Sequence, residues 1–94
     1  MDKEKNIETL TLDDLCVHTG IRRSIAIRIV ELGIIEPFTD SDPLIFHHHA
    51  ILRVKKILRI KRDLKVGFSS MNLVLDLLEK INKLEERLSF HEKR

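Results

Sequence analysis

Ninety-four residues, with 17 Lys and Arg against 15 Asp and Glu, bound one domain with a modest core, a size that gains from oligomerisation. Four Phe and no Trp or Tyr argue against an aromatic grip on single strands. The lone Cys16 excludes an internal disulfide and suits a reducing cytoplasm, and no apolar stretch nears the roughly 18 residues of a membrane span or follows a basic start like a signal peptide.

The net charge of +2 conceals two blocks of opposite sign. Residues 1–50 carry five Lys and Arg against nine Asp and Glu, a net of −4, and residues 51–94 carry twelve against six, a net of +6. Such blocks point to a charged partner on one side.

Residues 1–9 read as a flexible N-terminus. Thr11 is suited to cap a first helix, with Asp13 and Asp14 in its first turn, where the helix dipole favours acids. Leu12, Leu15 and Cys16 have the i, i+3, i+4 spacing of a buried stripe. Gly20 supplies the positive φ of a tight inter-helix turn. A second helix is predicted over 22–32, with Ile25, Ile29 and Leu32 inward and Gly33 as a left-handed C-cap. Ile34, Ile35 and Glu36 read as a short strand ended by Pro37. The turn-rich Phe38 to Pro43 leads into a returning strand, Leu44 to Phe46, and the two strands make a small wing.

A third helix is predicted over 47–66. Ala50, Val54, Ile57 and Leu64 form its inner stripe, and Lys55, Lys56, Arg59 and Arg62 its outer face. Arg53 and Lys61 fall near the apolar side, so their stems must snorkel past it. Gly67 is expected to end the helix and Ser69 or Ser70 to cap the next. The last helix, from Met71 onward, repeats apolar residues as a heptad: Val74, Leu77, Ile81, Leu84 and Leu88, with His91 next in register. Such a seam asks for a partner helix, in another chain or in this one. The predicted architecture is all-α with a small β-wing: a winged helix-turn-helix over 10–68 and a dimerisation helix over 69–94.

The chemistry-bearing residues divide into three groups. Asp13, Asp14, Glu36, Asp40 and Asp42 make the reading half acidic, and Asp40 and Asp42 lie in the wing, where a phosphate backbone would be repelled. Surface acids are often mere solvation, and Asp13 and Asp14 also have the helix dipole to explain them. Arg22, Arg23 and Arg28 are the second-helix residues that a DNA reader would use. The outer face of the third helix is a further candidate for phosphate contact, or simply a solvated face. His47, His48 and His49 are consecutive at a helix start and point apart, so no metal site is expected, and His49 is expected to pack at the wing–helix junction. No phosphate loop or activated nucleophile is present, so neither cofactor nor catalysis is expected, and Cys16 reads as core.

The order helix, turn, helix, wing, long helix, dimerising helix resembles the MerR-like winged-helix superfamily. The phrases Thr11-Leu-Asp-Asp-Leu, Thr19-Gly20-Ile21, Leu32-Gly33-Ile34-Ile35-Glu36-Pro37 and Leu64-Lys-Val-Gly-Phe-Ser69 carry the resemblance. Two departures stand out: the second helix lacks the aromatic cluster of DNA-binding members, and the wing has acids and no base. The chain is most similar to the CbpM-like chaperone-modulator branch, on Leu15-Cys16-Val-His18-Thr19-Gly20-Ile21, on Ile29 to Pro37, on Phe46 with His49-Ala50-Ile51, and on Arg59 to Leu64. That branch implies a cytoplasmic, non-enzymatic adaptor that binds and inhibits the basic J-domain of a DnaJ-type co-chaperone such as CbpA. The acids above would be the partner-binding residues. The alternative is a MerR-type transcriptional regulator using Arg22, Arg23 and Arg28 on DNA.

Overall fold

The computed structural model describes residues 9–39 and 41–92, with side chains to Leu88. The expectations for residues 1–8, Asp40 and the His91 side chain lie outside the described residues. Among those described, the chain runs β1 (Thr9–Thr11), α1 (Leu12–Thr19), α2 (Arg23–Glu31), β2 (Ile45–His47), α3 (His49–Leu64), a 3-10 turn (Phe68–Ser70) and α4 (Met71–Glu92). It is mostly helical with one small antiparallel sheet, as the sequence predicts.

Thr11 ends β1 and caps α1. Its hydroxyl accepts from the Asp14 N–H at 3.1 Å, and its own N–H donates to Asp14 Oδ2 at 3.4 Å, a reciprocal capping box. Gly20 takes φ 77° and donates to the Cys16 carbonyl at 2.8 Å, which closes α1 and turns the chain toward α2. Gly33, at φ 74°, closes α2. Its N–H bonds the Val30 carbonyl and the Ile34 N–H bonds the Ile29 carbonyl, the double bond pattern of a Schellman end.

That end explains the main departure from the predicted wing. Ile34 to Glu36 form no strand. The Ile34 N–H is taken by α2, and its carbonyl accepts from Arg53 Nε of α3 at 2.8 Å, so neither group is left for a ladder. Ile34 and Ile35 are both buried, whereas consecutive strand residues face opposite sides. The segment is a loop pressed into the core. The returning strand β2 pairs with β1, in the register Thr9↔His47, Leu10↔Phe46, Thr11↔Ile45. The strand therefore begins at Thr9, inside the stretch expected to be flexible.

Phe46 is fully buried, and the core gathers around it. Leu12 and Leu15 enter from α1, Ala26 and Ile29 from α2, Val54 and Ile57 from α3, and Met71 and Leu75 from the base of α4. On α2 the fully buried pair is Ala26 and Ile29, and the predicted Ile25 and Leu32 are half-buried beside them. Cys16 is likewise half-buried at the margin. The inner stripe of α3 includes Ile60, but Leu64 is exposed. A 3.6-residue period would keep Leu64 on the stripe, yet the helix outruns the elements it packs on. The left-handed residue that ends α3 is Lys65 at φ 58°, not Gly67. Ser69 and Ser70 fall inside the 3-10 turn that leads into α4.

Beside the burial of Met71 and Leu75, polar contacts help fasten α4 and the turn before it to the rest. Asn72 Nδ2 donates to the Leu32 carbonyl at the end of α2 at 2.9 Å. Lys61 Nζ lies 5.2 Å from the Phe68 ring centroid, a cation–π contact at the start of the 3-10 turn. Beyond Leu78 the helix leaves the core. Leu77, Ile81, Leu84 and Leu88 are 49–60% exposed, while Val74 is half-buried. Only the first seam residue leans on the domain.

Candidate protein-docking site

The acids predicted as partner contacts do not form one cluster. Asp13 and Asp42 line the same open groove of about 770 Å³, with Thr11 and Leu12 of α1's start, Arg23 and Ile27 of α2, and Pro43 and Leu44 of the following loop. Glu36 lines a second hollow of about 330 Å³ with Gly33, Ile35, His47, His49 and Arg53. Asp14 is engaged by the Thr11 cap.

Each groove residue has a local reason for its position. Asp13 follows the cap and so stands in the first turn of α1, where an acid complements the exposed N–H groups. Arg23 and Ile27 are four apart on α2 and share one face, beside the buried Ala26–Ile29 side. Leu44 leads into β2 and is half-buried against the core. Leu12, Ile27, Pro43 and Leu44 thus give the groove an apolar part, its floor, and Asp13, Asp42 and Arg23 line it with charge.

Arg23 Nη1 donates to Asp13 Oδ1 in an exposed ion pair that crosses from α2 to α1. Asp42 has no hydrogen bond or ion pair with the described residues. Burial pushes the Cys16 thiol pKa up, the Asp13 carboxylate adds to the rise, and Arg23 opposes it. Of the three arginines considered for DNA, Arg22 is the N-cap residue of α2, Arg23 is held by Asp13, and Arg28 is exposed in the last turn. Lys55, Lys56, Arg59 and Arg62 are exposed on α3, as predicted.

The three histidines are exposed, and His49, expected at the wing–helix junction, meets His47 of β2 there. The His47 and His49 rings stack at 5.6 Å with 10° between planes, and Phe38 meets the His47 ring edge-on at 5.4 Å. Among the described residues no group of three or more His, Cys, Asp or Glu is arranged to hold a metal ion. No described helix is long and apolar enough to cross a membrane.

The apolar floor escaped the reading of the sequence, which sorted residues by charge. The i, i+4 pairing of Arg23 with Ile27 on the solvent face of α2 was the available signal. The Asp13–Arg23 pair had none, because it joins two helices across a turn.

The family model for MerR helix-turn-helix regulatory proteins matches residues 10–92. The chain belongs to this family. Within the family it is CbpM-like. It is 32% identical over 79 residues to the chaperone modulatory protein CbpM of Citrobacter koseri, covering 83% of this chain and 78% of that one. The CbpM proteins of Salmonella arizonae and Salmonella newport are 33% identical over the same shares. The MerR-like fold is therefore present here, with a groove beside its second helix that carries two carboxylates and one guanidinium.

Proposed function

We propose that the protein is a cytoplasmic, non-enzymatic modulator that binds the J-domain of a DnaJ-type co-chaperone and inhibits it by covering the surface its chaperone partner needs. The observation that carries this reading is the groove at Asp13 and Asp42. It offers apolar contact flanked by negative charge, the complement of a basic helical surface. Asp14, Glu36 and Asp40 are the further partner contacts in this reading, each supplying negative charge from the same half of the sequence. The names of the relatives supply the chaperone half of the reading, and charge supplies the partner's sign.

The protein acts as a homodimer in this reading. Val74, Leu77, Ile81, Leu84 and Leu88 keep heptad register, and the last four are left largely uncovered by their own chain.

The second reading is DNA binding. The exposed Arg22 and Arg28 and the cationic outer face of α3 favour it. Titration calorimetry separates the two. The J-domain is expected to bind, with affinity falling as salt rises, and a generic duplex to bind weakly even at low salt. Sequence-selective duplex binding with no affinity for the J-domain would refute the modulator reading.

A further inference from the structure

We propose that the groove beside α2 receives an amphipathic, cationic helix of the partner, and that Arg23 is a built-in competitor which the partner's cation displaces from Asp13. This rests on the reading of the protein as a J-domain modulator and names how that partner is held.

The groove has room for side chains from one face of a helix, about 770 Å³ in all. Its floor suits an aliphatic residue, and its two carboxylates suit Lys or Arg one turn away on the same face. The two carboxylates are not equivalent. Asp42 is unengaged among the described residues, so its charge is open to a ligand from the start. Asp13 is occupied by Arg23.

Arg23 is poorly placed to stay where it is. It is the first residue of α2, where the positive end of the helix dipole disfavours a cation, and no acid stands in that helix's first turn. The Asp13 carboxylate across the turn is what offsets its charge. The pair is exposed, with 62% and 79% of the two side chains open to solvent, and exposed pairs exchange readily. A partner cation entering over the apolar floor meets Asp42 first. It then substitutes for Arg23 on Asp13, and Arg23 returns to water. Arg23 therefore weakens every cationic ligand, but least in proportion those that also fill the floor. Simple polycations are rejected and a basic amphipathic helix is accepted.

The test is a calorimetric titration of the J-domain of a DnaJ-type co-chaperone encoded in the same genome. It uses wild type and the variants Arg23→Gln, Asp13→Asn, Asp42→Asn and Ile27→Ala, plus the Arg23→Gln, Asp13→Asn double variant, each checked for helix content by circular dichroism. Arg23→Gln is expected to tighten binding about two- to fivefold, the range of an exposed pair. Asp42→Asn and Ile27→Ala are expected to loosen it. In the Asp13→Asn background the gain from Arg23→Gln is expected to disappear. A gain that persists undiminished there would make Arg23 a long-range charge and overturn the exchange, as would looser binding by Arg23→Gln. Binding insensitive to all these substitutions would overturn the groove and leave the modulator function standing. No J-domain binding by the wild type would overturn both.

Discussion

Replacing Arg53 by Met tests how the loop after α2 is held. Arg53 Nε donates to the Ile34 carbonyl at 2.8 Å in a partly buried bond. Methionine keeps an unbranched apolar stem and removes the donor, so the carbonyl loses its partner beside the core. A hydrogen bond from a charged donor contributes about 1.5–3 kcal/mol to stability. Arg53 as a residue is exposed, so water can partly replace the donor, and the expected loss is at the low end, about 1–1.5 kcal/mol. For a domain of this size that lowers the melting temperature by roughly 4–12 °C. Urea unfolding followed by circular dichroism, at one fixed protein concentration, should show a lower midpoint with an unchanged slope. A midpoint equal to wild type would mean that the Schellman end and the burial of Ile34 and Ile35 hold the loop by themselves. The assignment of Arg53 as its anchor would then be wrong.

Three further outcomes are expected. Thr11→Ala removes one arm of the capping box and should cost about 1 kcal/mol of folding stability, measured in the same urea titration, with Thr11→Ser recovering most of it. Leu84 is 56% exposed; if α4 pairs between chains, Leu84→Ala loses about 1 kcal/mol of burial per copy, and sedimentation over a range of concentrations should show dimerisation weakened by roughly 30-fold. An unaltered dimer would place the interface elsewhere. Cys16 should react with iodoacetamide more slowly than a free cysteine at mildly alkaline pH, because burial, then Asp13, raise its pKa and the thiolate is the nucleophile. The sign for stability follows: the folded pKa lies above the unfolded one, so the neutral thiol's contribution is complete below the unfolded pKa. It is lost as pH rises through the folded value. Cys16→Ala should flatten that alkaline decline.

The turns were legible in the sequence because single residues announce them. Thr11, Gly20 and Gly33 each stand where a cap or a left-handed residue is required, and each takes that role. The apolar periods located the helices to within two residues at each end. The sheet was not legible. Three-residue strands have no period to detect, and the pairing of Thr9–Thr11 with Ile45–His47 joins segments more than thirty residues apart. Ile34 and Ile35 looked like a strand because they are β-branched, but the Schellman bond had already claimed the Ile34 N–H. Lys65 in the left-handed region defied the preference for Gly, and the nearby Gly67 drew the helix end to itself. For the candidate site, the sign of the charge was readable. Its division into a groove holding Asp13 and Asp42 and a hollow holding Glu36 was not, since only the folded turn decides which acids become neighbours.

The bond from Asn72 to the Leu32 carbonyl ties the root of α4 to the tail of α2, the helix that also carries Arg23 and Ile27 of the groove. Should two chains join along the exposed stripe of α4, that tie would set the distance and the angle between two identical grooves. The molecule would then be a calliper. A partner with two J-domains at the matching span would be gripped at both ends. The second contact would form at the high effective concentration created by the first. A monomeric J-domain would feel each groove singly, so the same protein would discriminate between partners by their own state of assembly.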